Sequence, residues 1–235
     1  MKMNRETKNQ FIKKLRRIIP ASMGIPLIMV LVWNTLVYNG SRLITTDLYH
    51  HNLESPLDQL IPFLPWTVSI YLVCYLFWVA NYVIAVRQEE EEAWKFLGAD
   101  FLAKMVCLFC FILLPSTNVR PEVGDGSLWC SVIKLVYRVD AADNLFPSIH
   151  CLVSWFCYIG VRKNPSVPCW YRIFSLIFAL MVCISTLTTK QHVIVDTFAG
   201  VFLAEGCYYL SVKTGFYKVY ENAFKGILKR RVAID

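Results

Sequence analysis

Two short segments bring histidine, carboxylate and cation together. Asn144-Leu145-Phe146-Pro147-Ser148-Ile149-His150 is one, and Lys190-Gln191-His192-Val193-Ile194-Val195-Asp196 is the other. The chain holds four histidines in 235 residues, and two of them stand where an apolar run meets a polar stretch. His192 and Asp196 are four apart, so on a helix they share a face. A carboxylate beside an imidazole fixes its tautomer and raises the basicity of the far nitrogen, which makes a nucleophile or base. His150 follows Pro147 and Ser148, which read as a helix start offering a hydroxyl and backbone N–H groups to an anion. From there it is placed to protonate a leaving oxygen. Arg120, followed by Pro121, and Lys190 are cations suited to clamping phosphate oxygens. Two imidazoles, a carboxylate and fixed cations suit chemistry on a phosphate ester. Taken singly, each residue also fits a plainer role, as an interfacial side chain or a polar contact between helices.

The elements that position these residues read as membrane helices. Hydrophobic residues make up 56% of the chain, charged residues 17%, and mean hydropathy is +0.45. Long apolar stretches argue for an integral membrane protein rather than soluble domains. Six such stretches are expected as spans: Ile18–Tyr38, Leu64–Val86, Phe101–Pro115, Ser148–Val161, Trp170–Leu187 and Val193–Val212. The third lengthens backward through Trp94 and Phe96 if it takes in Asp100 and Lys104. The short spans with polar ends fit helices packed inside a bundle around a site. The reading is an all-α, six-helix integral membrane bundle: residues 1–17 a basic cytoplasmic N-terminus, 18–212 the catalytic domain, 213–235 a basic cytoplasmic tail.

Charge orients the bundle. The net charge is +7, and the first 18 residues hold seven Lys or Arg. With both termini in the cytoplasm, nineteen Lys and Arg fall in inner segments and five in outer loops, as the positive-inside rule requires. Basic ends beside spans touch anionic lipid rather than nucleic acid, since no nucleic-acid motif accompanies them. This topology puts the 116–147 loop, the start of the fourth span and the link before the sixth on one face, so both histidine segments meet there. A multi-pass protein of the plasma membrane is expected.

The arrangement resembles the type-2 phosphatidic acid phosphatase superfamily, which includes lipid phosphate phosphatases and inositol phosphorylceramide synthases. The resemblance rests on Arg120-Pro121, on Pro147-Ser148-Ile149-His150, and on Ser185 leading to His192-Val193-Ile194-Val195-Asp196. It departs at two places: the family's first-motif lysine falls on Leu113, and the arginine after its third-motif serine falls on Thr186. The resemblance implies that His192 attacks phosphorus, Asp196 orients it and His150 moves the leaving-group proton. Arg120, Ser148 and Lys190 then bind the non-bridging oxygens of a lipid phosphate, with no metal and no cofactor. The acceptor is left open, water for a phosphatase or an alcohol for a headgroup transferase. A catalytically silent transporter or scaffold is the alternative of a different class.

Other features are read more plainly. Eight of the nine cysteines fall in or close to apolar runs, where they act as small apolar residues, and Cys130 stands alone in a polar loop, so no disulfide framework is expected. The outer carboxylates Glu122, Asp125, Asp140 and Asp143 are read as loop solvation. Glu205, inside the sixth span, is either functional or a helix contact, with Asn34 and Asn81 as candidate partners.

Overall fold

A computed structural model describes residues 19–20 and 22–232; the basic segment 1–17 lies outside them. The described chain is almost entirely helical. Helix α1 covers Gly24–Thr45, with a π-helical turn at Leu36–Gly40. There follow α2 (Pro56–Leu60), α3 (Val68–Ala85), α4 (Glu90–Leu113), α5 (Leu128–Val139), α6 (Ile149–Arg162), α7 (Cys169–Thr188), α8 (Ile194–Thr214) and α9 (Phe216–Val232). Among the described residues, four helices are long and apolar enough to cross a membrane: α1, α3 with the 3₁₀ turn before it, α4 and α7.

Each expected span corresponds to a helix, with shifted ends. The expected start of the first at Ile18 lies outside the described residues; the helix described there begins at Gly24 and runs on past Tyr38 to Thr45. The third runs the full Glu90–Leu113 and takes Asp100 and Lys104 inside. It can do so because the two pair at 2.9 Å and Tyr82 Oη donates to Asp100 at 2.6 Å. Buried charges persist only when paired and hydrogen-bonded. The four-glutamate run starts that helix: Glu89 is its N-cap, and Glu90, Glu91 and Glu92 fill its first turn, where carboxylates favour the helix dipole.

Helix α6 is the short central one. It spans 14 residues and is enclosed by α3, α4, α7 and α8. Its Leu152 and Phe156 share one buried core with Phe96, Leu97 and Phe111 of α4, while Leu76, Trp170 and Phe202 stand exposed on the outside. Polar pairs inside and apolar side chains outside are what a lipid solvent selects. The segment expected as a basic tail contains α9. It turns at Gly215 (φ 73°) and packs on α4, with Tyr220 and Phe224 against Trp94.

Three loops are tied together at one end of the bundle. His51–Asn52 (β1) pairs in parallel with Ser116–Thr117 (β2). Leu64 N–H donates to Thr188 O at 2.9 Å, and Asn118 Nδ2 donates to Lys190 O at 2.9 Å. The 114–148 loop contains an element that hydropathy alone does not reveal, the amphipathic α5. It buries Ile133 and Val136 against Val68 and Tyr71 while exposing Leu128 and Leu135.

Candidate active site at the looped end of the bundle

The start of α8 carries the second segment. Helix α7 ends in a turn closed by two N–H groups, Gln191 at 2.9 Å and His192 at 3.1 Å, both donating to Thr186 O. Lys190 takes a left-handed conformation in that turn (φ 53°), the position glycine commonly fills after a helix. His192 therefore stands just outside α8 rather than on it, because Val193 is the N-cap. Asp196, three residues into the helix, reaches back. Its Oδ2 accepts from Val193 N–H at 3.1 Å and lies 3.4 Å from His192 Nδ1. The carboxylate thus caps the helix and faces the imidazole at once. Burial works against protonating His192, but the hydrogen bond and charge of Asp196 outweigh it and raise its pKa above the ordinary 6.5.

Ser148 is the N-cap of α6, its Oγ accepting from Cys151 N–H at 3.3 Å, and Pro147 stands just before it rather than in the first turn. The Ser148 N–H donates to Asp196 O at 3.0 Å, so the two helix starts are joined directly. His150 then lies with its ring centroid 5.8 Å from that of His192. Tyr71 packs on His150 at 4.5 Å, and Tyr75 Oη lies 3.2 Å from its Nε2.

Arg120 joins this group. Its guanidinium lies 4.5 Å from the Tyr137 ring centroid and donates to Asp140 O and to Gln191 Oε1, each at 2.6 Å. Among the described residues, the buried donors Arg120 Nε and Gln191 Nε2 find no acceptor, the kind of group an anionic oxygen satisfies. Lys190 is placed otherwise. Its ammonium donates to Asp58 O and Ile61 O, each at 2.8 Å, so it anchors the turn to α2 and the structure does not join it to the histidines.

Several residues escaped the sequence reading. Asp140, taken as loop solvation, is a site carboxylate: Tyr38 Oη donates to its Oδ1, and Tyr71 Oη to its Oδ2 at 2.9 Å. Burial pushes the Asp140 carboxyl up, but the charge of His150 and the two tyrosine hydroxyls bring it below its ordinary 3.8. Asp143 pairs with Arg42 and Asp125 with Lys134. Asp58 accepts Ile194 N–H at 2.7 Å, capping α8 from another loop. Tyr71, Tyr75, Trp78 and Tyr82 recur at helical spacing on α3, a stripe that marks a packed face without naming its partner and that the sequence reading passed over. Glu205 pairs with Arg162 (3.0 Å) and Trp155 (2.8 Å), not with Asn34 or Asn81. Among the described residues, no group of three His, Cys, Asp or Glu side chains is arranged to hold a metal.

Comparison with known proteins adds one match. A family model described as the PAP2 superfamily matches residues 49–210, a stretch that holds both histidines, Arg120 and Asp196. Comparison with curated proteins gave no match.

Proposed function

The chain belongs to the PAP2 superfamily, and on that premise we propose that it is a lipid phosphate phosphatase or phosphotransferase working through a phosphohistidine at His192. Asp196 faces Nδ1, which leaves Nε2 to attack phosphorus. A bond forms from Nε2 to phosphorus as the bond to the lipid alcohol breaks, and His150 delivers a proton to the departing oxygen. In the second step His150 takes a proton from the acceptor, whose oxygen displaces the imidazole. Arg120 and Gln191 donate to the non-bridging oxygens, and the helix start at Ser148 adds backbone N–H groups. Such fixed donors supply much of the rate in phosphoryl transfer. Lys190 contributes by holding the turn that carries His192.

The observation that carries this reading is the 5.8 Å separation of the two imidazoles, with Asp196 against the second of them. The same reading has six membrane crossings with both termini in the cytoplasm. The histidines then open to the non-cytoplasmic face, in the plasma membrane.

One observation favours transfer of a phospho-headgroup to an alcohol over release of phosphate. The residues at the family's two further cation positions are Leu113 and Thr186, and the Lys190 ammonium is bound to backbone carbonyls. Arg120 then bonds Gln191, beside His192, while the Asp196 carboxylate faces His192 and the Asp140 carboxylate is held by Tyr71, which packs on His150. A monoester near pH 7 carries roughly −1.5 to −2, whereas a diester carries a single charge and suits so few cations better. The deciding experiment incubates purified protein with lipid phosphomonoesters and phosphodiesters and identifies products by mass. Free phosphate marks hydrolysis and a new phosphodiester marks transfer. Absence of any acid-labile phosphoenzyme with every substrate turned over would reject the nucleophile assignment.

A further inference from the structure

At about 3.6 residues per turn, the side chains of α5 fall into three stripes. Ile133, Val136 and Tyr137 face the protein. The first two are buried against Val68 and Tyr71 of α3. Tyr137 lies 4.5 Å from the Arg120 guanidinium and its Oη donates to Thr189 O at 2.7 Å. Leu128, Leu135 and Val139 form the second stripe and are 72%, 60% and 75% exposed. Ser131, Lys134 and Arg138 form the third. A surface helix facing water is polar on the side turned away from the protein. Helix α5 instead carries an apolar stripe there, beside the polar one.

The neighbours of α5 set its height. It packs on the Pro65–Thr67 turn and on the first turn of α3, the outer end of a helix long and apolar enough to cross a membrane. Leu72 and Leu76, farther along α3, are exposed, so the apolar exterior of the bundle begins close to the level of α5. Trp66 and Trp129, one on each packed element, are both exposed, and tryptophan collects where acyl chains meet headgroups. Lys134 is held by Asp125, while Arg138 is exposed. A long cationic side chain at such a boundary lays its stem on hydrocarbon and reaches a phosphate with its head. Hydropathy and charge together match one partner, the headgroup boundary of a phospholipid leaflet.

We infer that α5 is an in-plane interfacial helix: the Leu128, Leu135 and Val139 stripe enters the acyl region of the surrounding leaflet, Arg138 meets headgroup phosphates, and this seat holds Tyr137 against Arg120. Helices of this kind sit roughly 5–10 Å into the boundary. The seat rests on the membrane reading of the bundle and not on the phosphohistidine. Tyr137 is a positioning residue, acting on phosphate through Arg120.

The test places spin labels on full-length protein in phospholipid nanodiscs. Cys110, Cys130 and Cys169, the cysteines that are not buried, are first replaced by serine. Single labels then go in by Leu128→Cys, Leu135→Cys or Val139→Cys, and by Ser131→Cys or Arg138→Cys. The first three should collide with dissolved oxygen more than with a water-soluble nickel chelate, and the last two the reverse. Nickel collisions dominating on both stripes would put α5 in water. Exclusion of both reagents from the Leu135 stripe would mean that protein covers it. Either result overturns the seat. For the coupling, Leu135→Asp should lower kcat/KM on a lipid phosphate by about tenfold, the scale of one hydrogen bond to a charged group, with helicity by circular dichroism unchanged. Leu135→Phe, and the same charge added on the polar stripe by Ser131→Asp, should leave it within twofold. Equal losses at positions 131 and 135, or none at 135, would overturn the link to Arg120. Labels that report the seat in a protein without turnover would count against the catalytic reading and leave the seat standing.

Discussion

A Cβ on Gly200 would stand 2.5 Å from the backbone oxygen of Ser148. At this contact the start of α6, which carries His150, meets α8, which begins just after His192. Gly200→Ala must push the two helices apart. Misplacement by about 1 Å costs near a hundredfold in rate. We expect kcat to drop on that order while the variant still inserts and folds. Activity within twofold of the unmodified protein would mean that the α6–α8 spacing does not set the chemistry.

His192→Ala should abolish turnover and phosphoenzyme together. His150→Ala should lower kcat by about 10²–10⁴, the usual contribution of general acid–base catalysis, while a substrate with an acidic leaving group recovers part of the loss. Asp196→Asn should fall between them. Rapid-quench trapping of the phosphoenzyme separates the roles, since only the first substitution should remove it altogether. A phosphoenzyme that persists in His192→Ala would move the nucleophile elsewhere.

The pH profile follows from His192. Attack needs its neutral form, and Asp196 raises its pKa above 6.5. kcat/KM should therefore fall on the acid side with a midpoint above the ordinary histidine value, and Asp196→Asn should move that midpoint down. Stability runs the other way. The protonated imidazole gains from Asp196 only in the folded state, so this contribution is complete below the unfolded pKa and is lost as pH rises through the folded one. An acid limb unmoved by Asp196→Asn would dissociate the pair from the reaction.

Asp140→Asn keeps the shape but removes the charge that Tyr38 and Tyr71 bind beside His150. Arg120 remains held, because it donates to the backbone oxygen of residue 140 rather than to the carboxylate. The expected result is a fall in kcat of about tenfold, the scale of one charged hydrogen bond, with KM little changed. A large rise in KM with kcat intact would make Asp140 a substrate contact instead.

Chelation supplies a fifth check. The proposed steps use two imidazoles and fixed hydrogen-bond donors, so EDTA should leave initial rates unaltered. Abolition by EDTA with recovery on adding back one divalent ion would replace the mechanism.

Much was legible along the chain, and the rest has a common cause. Hydropathy and helical spacing marked the membrane helices to within a few residues at most ends, because apolar period and length are local properties. The Glu90–Leu113 helix could be traced through Asp100 and Lys104, although only the fold supplies Tyr82, the hydroxyl that steadies the pair. Helix α5 was missed as an element because it lies in a polar loop and buries only a narrow face. Asp140 was misread because its partners, Tyr38 and Tyr71, lie 102 and 69 positions away.

Sequence by itself picked out the candidate site residues and the apolar runs around them: a carboxylate four positions from a histidine, a serine ready to start a helix, stretches long enough for membranes. Tertiary structure decided how they combine. It set the 5.8 Å between the imidazoles, turned Lys190 toward carbonyls and Arg120 toward Gln191, and laid Tyr137 of α5 against the Arg120 guanidinium. Backbone periodicity fixes directions within one helix. Distances between helices depend on close contacts such as Gly200 against Ser148, which no local pattern encodes.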